Sequence, residues 1–344
     1  MNEEQKARYL RQILFAPIGA AGQEKLLAAR VLVVGCGATG SVIASTLARA
    51  GMGFIKIADR DLVELNNLQR QVLYDEADVA ARTPKAIAAA EKLGRINSSL
   101  WVEPCVTDVN AENMEDLITD VDLVLDGTDN FETRYLINDA CVKHNKAWVY
   151  GGAVASYGAT MTIVPNVTAC FRCVFRHAPP PGTLPTCDTA GVIAPIVNVI
   201  GSLVSAEALK LITESGERNR GLIHIDLWEN TFDTFETMRR ADCPCCVEHQ
   251  FDYLDNAGDT TAFLCGRDAV QVRPARRNGK QVELDLDSVA ARLAPLGGVT
   301  QNEFLVQFTV DDFELTIFSD GRAIVKGTED AGVARSLYAR YVGS

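Results

Sequence analysis

The chain predicts a doubly wound, Rossmann-like α/β sheet with a mixed-sheet extension, followed by a small α+β C-terminal domain. Three observations carry that fold class. Short apolar runs rich in β-branched residues alternate with helical stretches over the first ~150 residues, the pattern of a parallel sheet covered by helices on both faces. The first of those runs enters a glycine-rich turn that opens a helix. A length of 344 residues accommodates a second domain, at roughly 150 residues per domain.

In chain order, the first 30 residues read as helical and include a basic patch of Arg8, Arg11, Lys25 and Arg30. Val31-Leu32-Val33-Val34 is short and wholly apolar, as a strand buried on both faces requires. It runs into Gly35-Cys36-Gly37-Ala38-Thr39-Gly40 and a helix to Ala50. A second strand, Phe54 to Ala58, ends at Asp59, and Pro84 to Ile96 reads as a helix with proline tolerated in its first turn. Val121 to Leu125 is the third strand expected, followed by Asp126-Gly127-Thr128-Asp129-Asn130 and a helix to about His144; Ala147 to Tyr150 is the fourth. After Ser156 the texture changes. A strand over Ala159 to Val164 precedes Cys170 and Cys173, and a loop with Pro179-Pro180-Pro181-Gly182 leads to Cys187. A long helix from about Ile193 to Thr213 and strands near Leu222–Leu227 and Thr231–Thr237 bring the chain to Cys243-Pro244-Cys245-Cys246. The boundary is placed near residue 250, giving domains 1–250 and 251–344. The second holds short strands over Phe304–Val310, Phe313–Phe318 and Arg322–Val325 and a closing helix, Ala331 to Tyr341.

Composition excludes several functional classes. With 47% hydrophobic and 23% charged residues the chain has ample material for a core, so disorder is not its main state. A net charge of -12 argues against a protein that coats nucleic acid, which must neutralise many phosphates. The apolar stretch Gly191 to Ile212 is interrupted by Asn198, Ser202, Ser205, Glu207 and Lys210, which suits a buried helix and no membrane span. Met1 to Lys6 lacks a signal-peptide profile, and with ten cysteines the expected compartment is a reducing cytoplasm.

The glycines come first in the chemistry. Gly35 permits the tight turn, Gly37 lets backbone approach a ligand, and Gly40 allows helix and strand to pack closely. Asp59, 19 residues past Gly40, stands where a carboxylate reaches ribose hydroxyls. This pattern predicts a nucleotide site and leaves NAD or ATP open. Asn66-Asn67-Leu68-Gln69-Arg70-Gln71 and Lys85 gather amides and cations nearby, which suits a triphosphate. Asp129, just past a strand end, is an expected magnesium ligand, and the same stretch also caps the following helix. Cys170-Phe171-Arg172-Cys173 and Cys243-Pro244-Cys245-Cys246 are two C-x-x-C knuckles about 70 residues apart. Their four terminal thiolates, Cys170, Cys173, Cys243 and Cys246, predict a closed structural zinc site, with Cys245 a spare and a redox pair the alternative. Cys187, on a loop near a helix start, is a candidate nucleophile. Cys36, Cys105, Cys141 and Cys265 read as incidental thiols, and the four histidines show no metal or triad spacing.

Arg8-Tyr9-Leu10-Arg11-Gln12, the glycine motif, Asp59 with Asn67 to Gln71, Pro84-Lys85, Asp126-x-Thr-Asp-Asn130 and the paired knuckles together resemble the ThiF/MoeB/HesA family, bacterial relatives of ubiquitin-activating enzymes. The similarity runs from about residue 8 to 247. The chain is most similar to the family's long form, which shares the C-terminal extension with Cys265-Gly266-Arg267, Val270 to Pro274 and Asp320-Gly321-Arg322. The resemblance implies ATP-dependent adenylation of the C-terminal glycine carboxylate of a small ubiquitin-like sulfur carrier, with release of pyrophosphate, for thiamine or molybdopterin synthesis. It implies that Asp59 holds ribose, that Asn67, Arg70 and Lys85 hold phosphates, and that Asp129 holds magnesium. It further implies a homodimer in which Arg11 reaches the partner's site, and a loop role for Cys187 in carrier bonding or sulfur transfer. Two departures stand out: Arg82 where a glycine commonly precedes the lysine by three, and Gly127 in place of a frequent cysteine. Adenylation of a peptide or other carboxylate is the alternative reading, and an NAD-dependent oxidoreductase the remote one.

Overall fold

The computed structural model describes residues 1–178, 187–255, 261–264, 269–273 and 283–343, with the side chains of 187–188 and 261–264 outside that description. The chain forms two compact units, Met1–Ala257 and Gly258–Ser344.

The first unit opens with α1 (Glu3–Arg8), α2 (Leu10–Ile13) and α3 (Gly19–Ala28). Then β1 (Arg30–Val34), α4 (Ala38–Ala50) and β2 (Phe54–Asp59) build the first crossover, with β2 buried along its whole length. α5 (Glu76–Ala81) and α6 (Lys85–Ile96) lead to β3 (Trp101–Val106), a strand the sequence reading passed over. It forms the sheet edge, half-exposed and interrupted by Pro104, so no apolar run announces it. α7 (Met114–Ile118), β4 (Leu123–Asp126), α8 (Phe131–Lys143) and β5 (Ala147–Val154) complete the parallel half. The chain then reverses through β6 (Tyr157–Ile163), passes α9 (Phe171–Val174), α10 (Cys187–Ala190) and α11 (Ala194–Thr213), and ends the sheet with β7 (Gly221–Asp226) and β8 (Thr231–Glu236); α12 (Asp252–Asp255) follows. Strand order is β3-β2-β1-β4-β5-β6-β7-β8, parallel from β3 to β5 and antiparallel from β5 to β8. This is the mixed sheet expected.

Two apolar cores lie on the two faces. One joins α4, α6 and α11 to the sheet through Val31, Val33, Ile43, Leu47, Ile55 and Ile200. The other joins α8 and the cysteine knuckles through Leu32, Val124, Tyr135, Trp148 and Phe171. The long apolar stretch is α11, packed on α4 and β5, and its buried Glu207 accepts hydrogen bonds from Thr162 and the Asn219 amide. In the second unit β9 (Thr261–Leu264), β10 (Ala269–Val272), α13 (Leu286–Leu293), β11 (Gly298–Gln301), β12 (Leu305–Val310), β13 (Phe313–Phe318), β14 (Ala323–Lys326) and α14 (Ala331–Tyr341) give an antiparallel sheet ordered β11-β12-β13-β14-β10-β9. Its core gathers Val270, Phe308, Ile317 and Tyr341. Cys265, Gly266, Arg267 and Pro274 of the expected extension lie outside the described residues.

Candidate nucleotide site and metal centre

The glycine turn is dictated by close approach. Gly35 takes φ +79°, and a Cβ on Gly40 would stand 1.9 Å from the Gly35 carbonyl oxygen. Gly127 packs into the same contact: its Cβ would meet that oxygen at 2.3 Å, which explains glycine in place of cysteine here. The first turn of α4 has no side-chain cap, so its amides stay available for an anion. Asp59 is buried beneath the turn, accepting from the Cys36 amide at 2.6 Å and the Asp61 amide at 2.7 Å. Burial pushes its carboxyl above the usual range, and Lys85 opposes that shift.

Lys85 opens α6, with Pro84 as the preceding N-cap residue rather than inside the first turn. Its side chain is 4% exposed and its Nζ lies 3.0 Å from Asp61 Oδ2. The Tyr74 hydroxyl donates to the Cys36 carbonyl at 2.7 Å and also lies 3.2 Å from the Lys85 carbonyl, tying lysine to glycine turn. Asp61 and Tyr74 were missed by sequence reasoning. Asp61 stands 24 residues from Lys85, and the bridge between Leu62 and Pro84 brings the two segments together. Gln71 is also buried; its Oε1 accepts no hydrogen bond among the described residues, and its Nε2 would stand 3.8 Å from a Cβ at Gly37.

The other expected residues are placed differently. Asn67 is buried and closes its own turn, accepting from the Glu64 amide and donating to Asn66. Arg70 is more open, its Nη1 donating to the Asn66 carbonyl at 2.8 Å. Asp129 is exposed beside Asn130, which caps α8 by accepting from the Thr133 amide. Beneath them Asp126, fully buried, pairs with Arg134 at 3.1 Å, and Arg134 also donates to the Thr128 carbonyl, bracing the Asp129 loop. Burial lowers the pKa of the Arg60 guanidinium, but the carboxylates of Asp108, Asp61 and Asp129 outweigh it and the net shift is upward. The carboxyl ends of the parallel strands β2, β3 and β4 thus lie along the sheet edge outside which open α/β sheets bind ligands in a crevice. Arg82 takes the left-handed conformation (φ 52°) that ends α5, the reason a glycine suits that position.

Arg11 lies elsewhere. It is exposed on α2, whose neighbour Gln12 donates to the Ala50 carbonyl at the C-terminal end of α4. Asn97, at the end of α6, donates to the Tyr9 hydroxyl. The 13 residues of α4 span roughly 20 Å at 1.5 Å each, so Arg11 sits at the end of the sheet opposite its own glycine turn. Cys187 opens the helical turn α10, and its side chain lies outside the described residues.

The four predicted ligand cysteines converge. Cys170, Cys173, Cys243 and Cys246 are buried, with their sulfurs within 4.8 Å of one another. Sγ separations are 3.7 Å for 170–173 and 3.5 Å for both 170–243 and 173–246. A tetrahedron of thiolates at ~2.3 Å from zinc has edges of about 3.8 Å, so the set fits that ion. Cys245 is turned to α8, where Asn138 Nδ2 donates to its sulfur, while Asn138 Oδ1 accepts from the Phe171 amide. The centre thereby clamps both knuckles to the helix that follows Asp129.

A model of the ThiF family matches residues 9–245. The chain is 43% identical over 341 residues to the sulfur carrier protein ThiS adenylyltransferase of Bacillus subtilis, covering 98% of this chain and 99% of that one. It is 38% identical over 257 residues to the SAMP-activating enzyme E1 of Haloferax volcanii, covering 74% and 94%. Among solved structures it resembles E. coli MccB with ATP, with a TM-score of 0.62 and 26% identity over 70% of this chain and 74% of that one.

Proposed function

The chain belongs to the ThiF family, and we propose that it adenylates the C-terminal glycine carboxylate of a small ubiquitin-like sulfur carrier for thiamine or molybdopterin synthesis. It is an ATP-dependent adenylyltransferase acting on a small carrier or peptide substrate. The observation that supports the carrier reading is the 43% identity to a ThiS adenylyltransferase across both units, not the nucleotide-binding unit alone.

In the proposed reaction a carrier carboxylate oxygen attacks the α-phosphorus, the bond to the bridging oxygen breaks, and pyrophosphate leaves with its electron pair. Asp59 holds the ribose, and the α4 amides with Lys85 and Arg70 compensate the charge on the phosphates. Asp129, an exposed single carboxylate at the crevice, suits a magnesium ion carried in by the nucleotide. The four-cysteine centre is proposed to hold zinc, which with four thiolates has no open position and serves structure alone. The carrier's docking surface is assigned to β8, an edge strand exposed at every residue, where Phe232 and Phe235 lie open, with exposed Met238 just beyond it. The site of action is proposed to be the cytoplasm.

The test is ATP–pyrophosphate exchange driven by a carrier ending in Gly-Gly. Exchange should appear with the intact carrier and vanish when the last glycine is removed. The alternative, a peptide substrate, draws on the likeness to MccB in complex with N-formylated MccA, 25% identical. Exchange with short peptides and none with ubiquitin-like carriers would replace the carrier reading by that one.

A homodimer completes the proposed site. Arg11 is too far from its own glycine turn to serve it, and Leu10, Leu14 and Phe15 around it are 49%, 65% and 59% exposed, as an uncovered interface is. Arg11 then acts on the partner's nucleotide. Mixing an Arg11→Ala chain with a Lys85→Ala chain, each inactive alone, should restore part of the exchange activity, because a mixed dimer holds one site with both residues intact. No recovery after demonstrated subunit exchange rules the assignment out.

A further inference from the structure

Arg60 bridges the ends of two neighbouring strands at the base end of the nucleotide crevice. The sheet order is β3-β2-β1-β4, with the glycine turn after β1 and Asp59 closing β2. A nucleotide whose ribose meets Asp59 sends its phosphates toward the start of α4. Base and 5′-phosphate leave the ribose on opposite sides, so the base points the other way, over the end of β3. Arg60 follows Asp59 directly, and its Nη1 donates at 2.9 Å to Asp108 Oδ1, just beyond β3. Its Nε lies 3.8 Å from Asp61. The Asp108 side chain is 10% exposed and that of Arg60 29%, so the anchor is buried while part of the guanidinium remains open.

An arginine here has two possible uses, as a charge for phosphate or as a flat surface for the base. Asp108 and Asp61 already compensate its charge, and they fix the group between two strand ends. What remains is a planar, weakly hydrated face of the kind that stacks on aromatic rings. We propose that Arg60 is a base-binding residue of this active site, stacking on the purine of ATP, and that Asp108 positions it. This rests on the adenylation reading and adds base recognition to it.

The experiment is calorimetric binding of ATP to the full-length chain without carrier, with AMP, adenosine and pyrophosphate as competitors. Arg60→Leu should weaken ATP, AMP and adenosine together by roughly 5- to 30-fold and leave pyrophosphate unchanged. Arg60→Lys should lose most of the same affinity, because an ammonium keeps the charge without the plane. Asp108→Ala should follow Arg60→Leu in part, and Asp108→Asn, which keeps an acceptor, should recover much of the loss. Full adenosine affinity in Arg60→Leu, or wild-type affinity in Arg60→Lys, overturns the proposal, and a loss of pyrophosphate binding in Arg60→Leu reassigns the residue to phosphate. Absence of ATP binding by the wild-type chain is a separate result that removes the adenylation reading itself. A misfolded Arg60→Leu chain leaves the decision to Arg60→Lys and the Asp108 pair, which keep polar groups in place.

Discussion

Replacing Arg70 or Lys85 by alanine is expected to lower carrier-dependent ATP–pyrophosphate exchange by about 10²–10³-fold, the loss typical of one removed transition-state charge contact. The two variants test the site from different sides. Among the described residues Arg70 has one side-chain bond, to the Asn66 carbonyl, so Arg70→Ala should keep the melting temperature of the wild type. Lys85 is buried against Asp61, and removing one member of a buried pair destabilises through the charge left behind. Lys85→Ala combined with Asp61→Asn relieves that charge. The double variant should regain stability relative to the single one while remaining inactive, which separates a chemical from a structural role. Wild-type exchange in folded Arg70→Ala and Lys85→Ala chains means that the phosphates lie elsewhere.

Cys173→Ser should lower stability far more than it lowers ATP affinity. The sulfur lies 3.7 Å from Cys170 and 3.5 Å from Cys246, so serine removes one ligand from a closed set. Metal binding to such a set is coupled to folding. A loss of a few kcal/mol corresponds to a fall of roughly 10 °C in melting temperature for a unit of this size. Elemental analysis of the wild type should find about one zinc per chain. The glycine turn and Asp59 stand on other elements, so nucleotide affinity measured well below the transition should change little. A zinc-free preparation of full stability sinks the assignment.

The parallel half of the sheet was legible because its signals are local. Val31–Val34, Phe54–Asp59 and Leu123–Asp126 are buried on both faces and read as apolar runs. The cysteine knuckles were legible because ligand spacing is a property of a few adjacent residues and four thiols have few other uses. β3 was not, since an edge strand with Glu103, Pro104 and an exposed Trp101 carries no such pattern. Asn67 shows what residue type alone does not reveal: its carboxamide accepts from the Glu64 amide and donates to Asn66, closing its own turn.

By itself, then, the sequence determined the glycine turn, the acid that ends β2, the pair of knuckles and the succession of strands and helices, all of which depend on neighbours a few residues apart. Only the tertiary structure decided which separate segments meet. Asp61 faces Lys85, Arg60 reaches Asp108, Asn138 ties α8 to the metal centre, and Arg11 stands at the far end of α4 from its own nucleotide turn. The Arg60–Asp108 contact follows from the order of strands in the sheet, and the others from how helices and loops pack on it. That order is set by how crossovers bury two apolar faces at once, a property of the whole chain that leaves no mark at any single position.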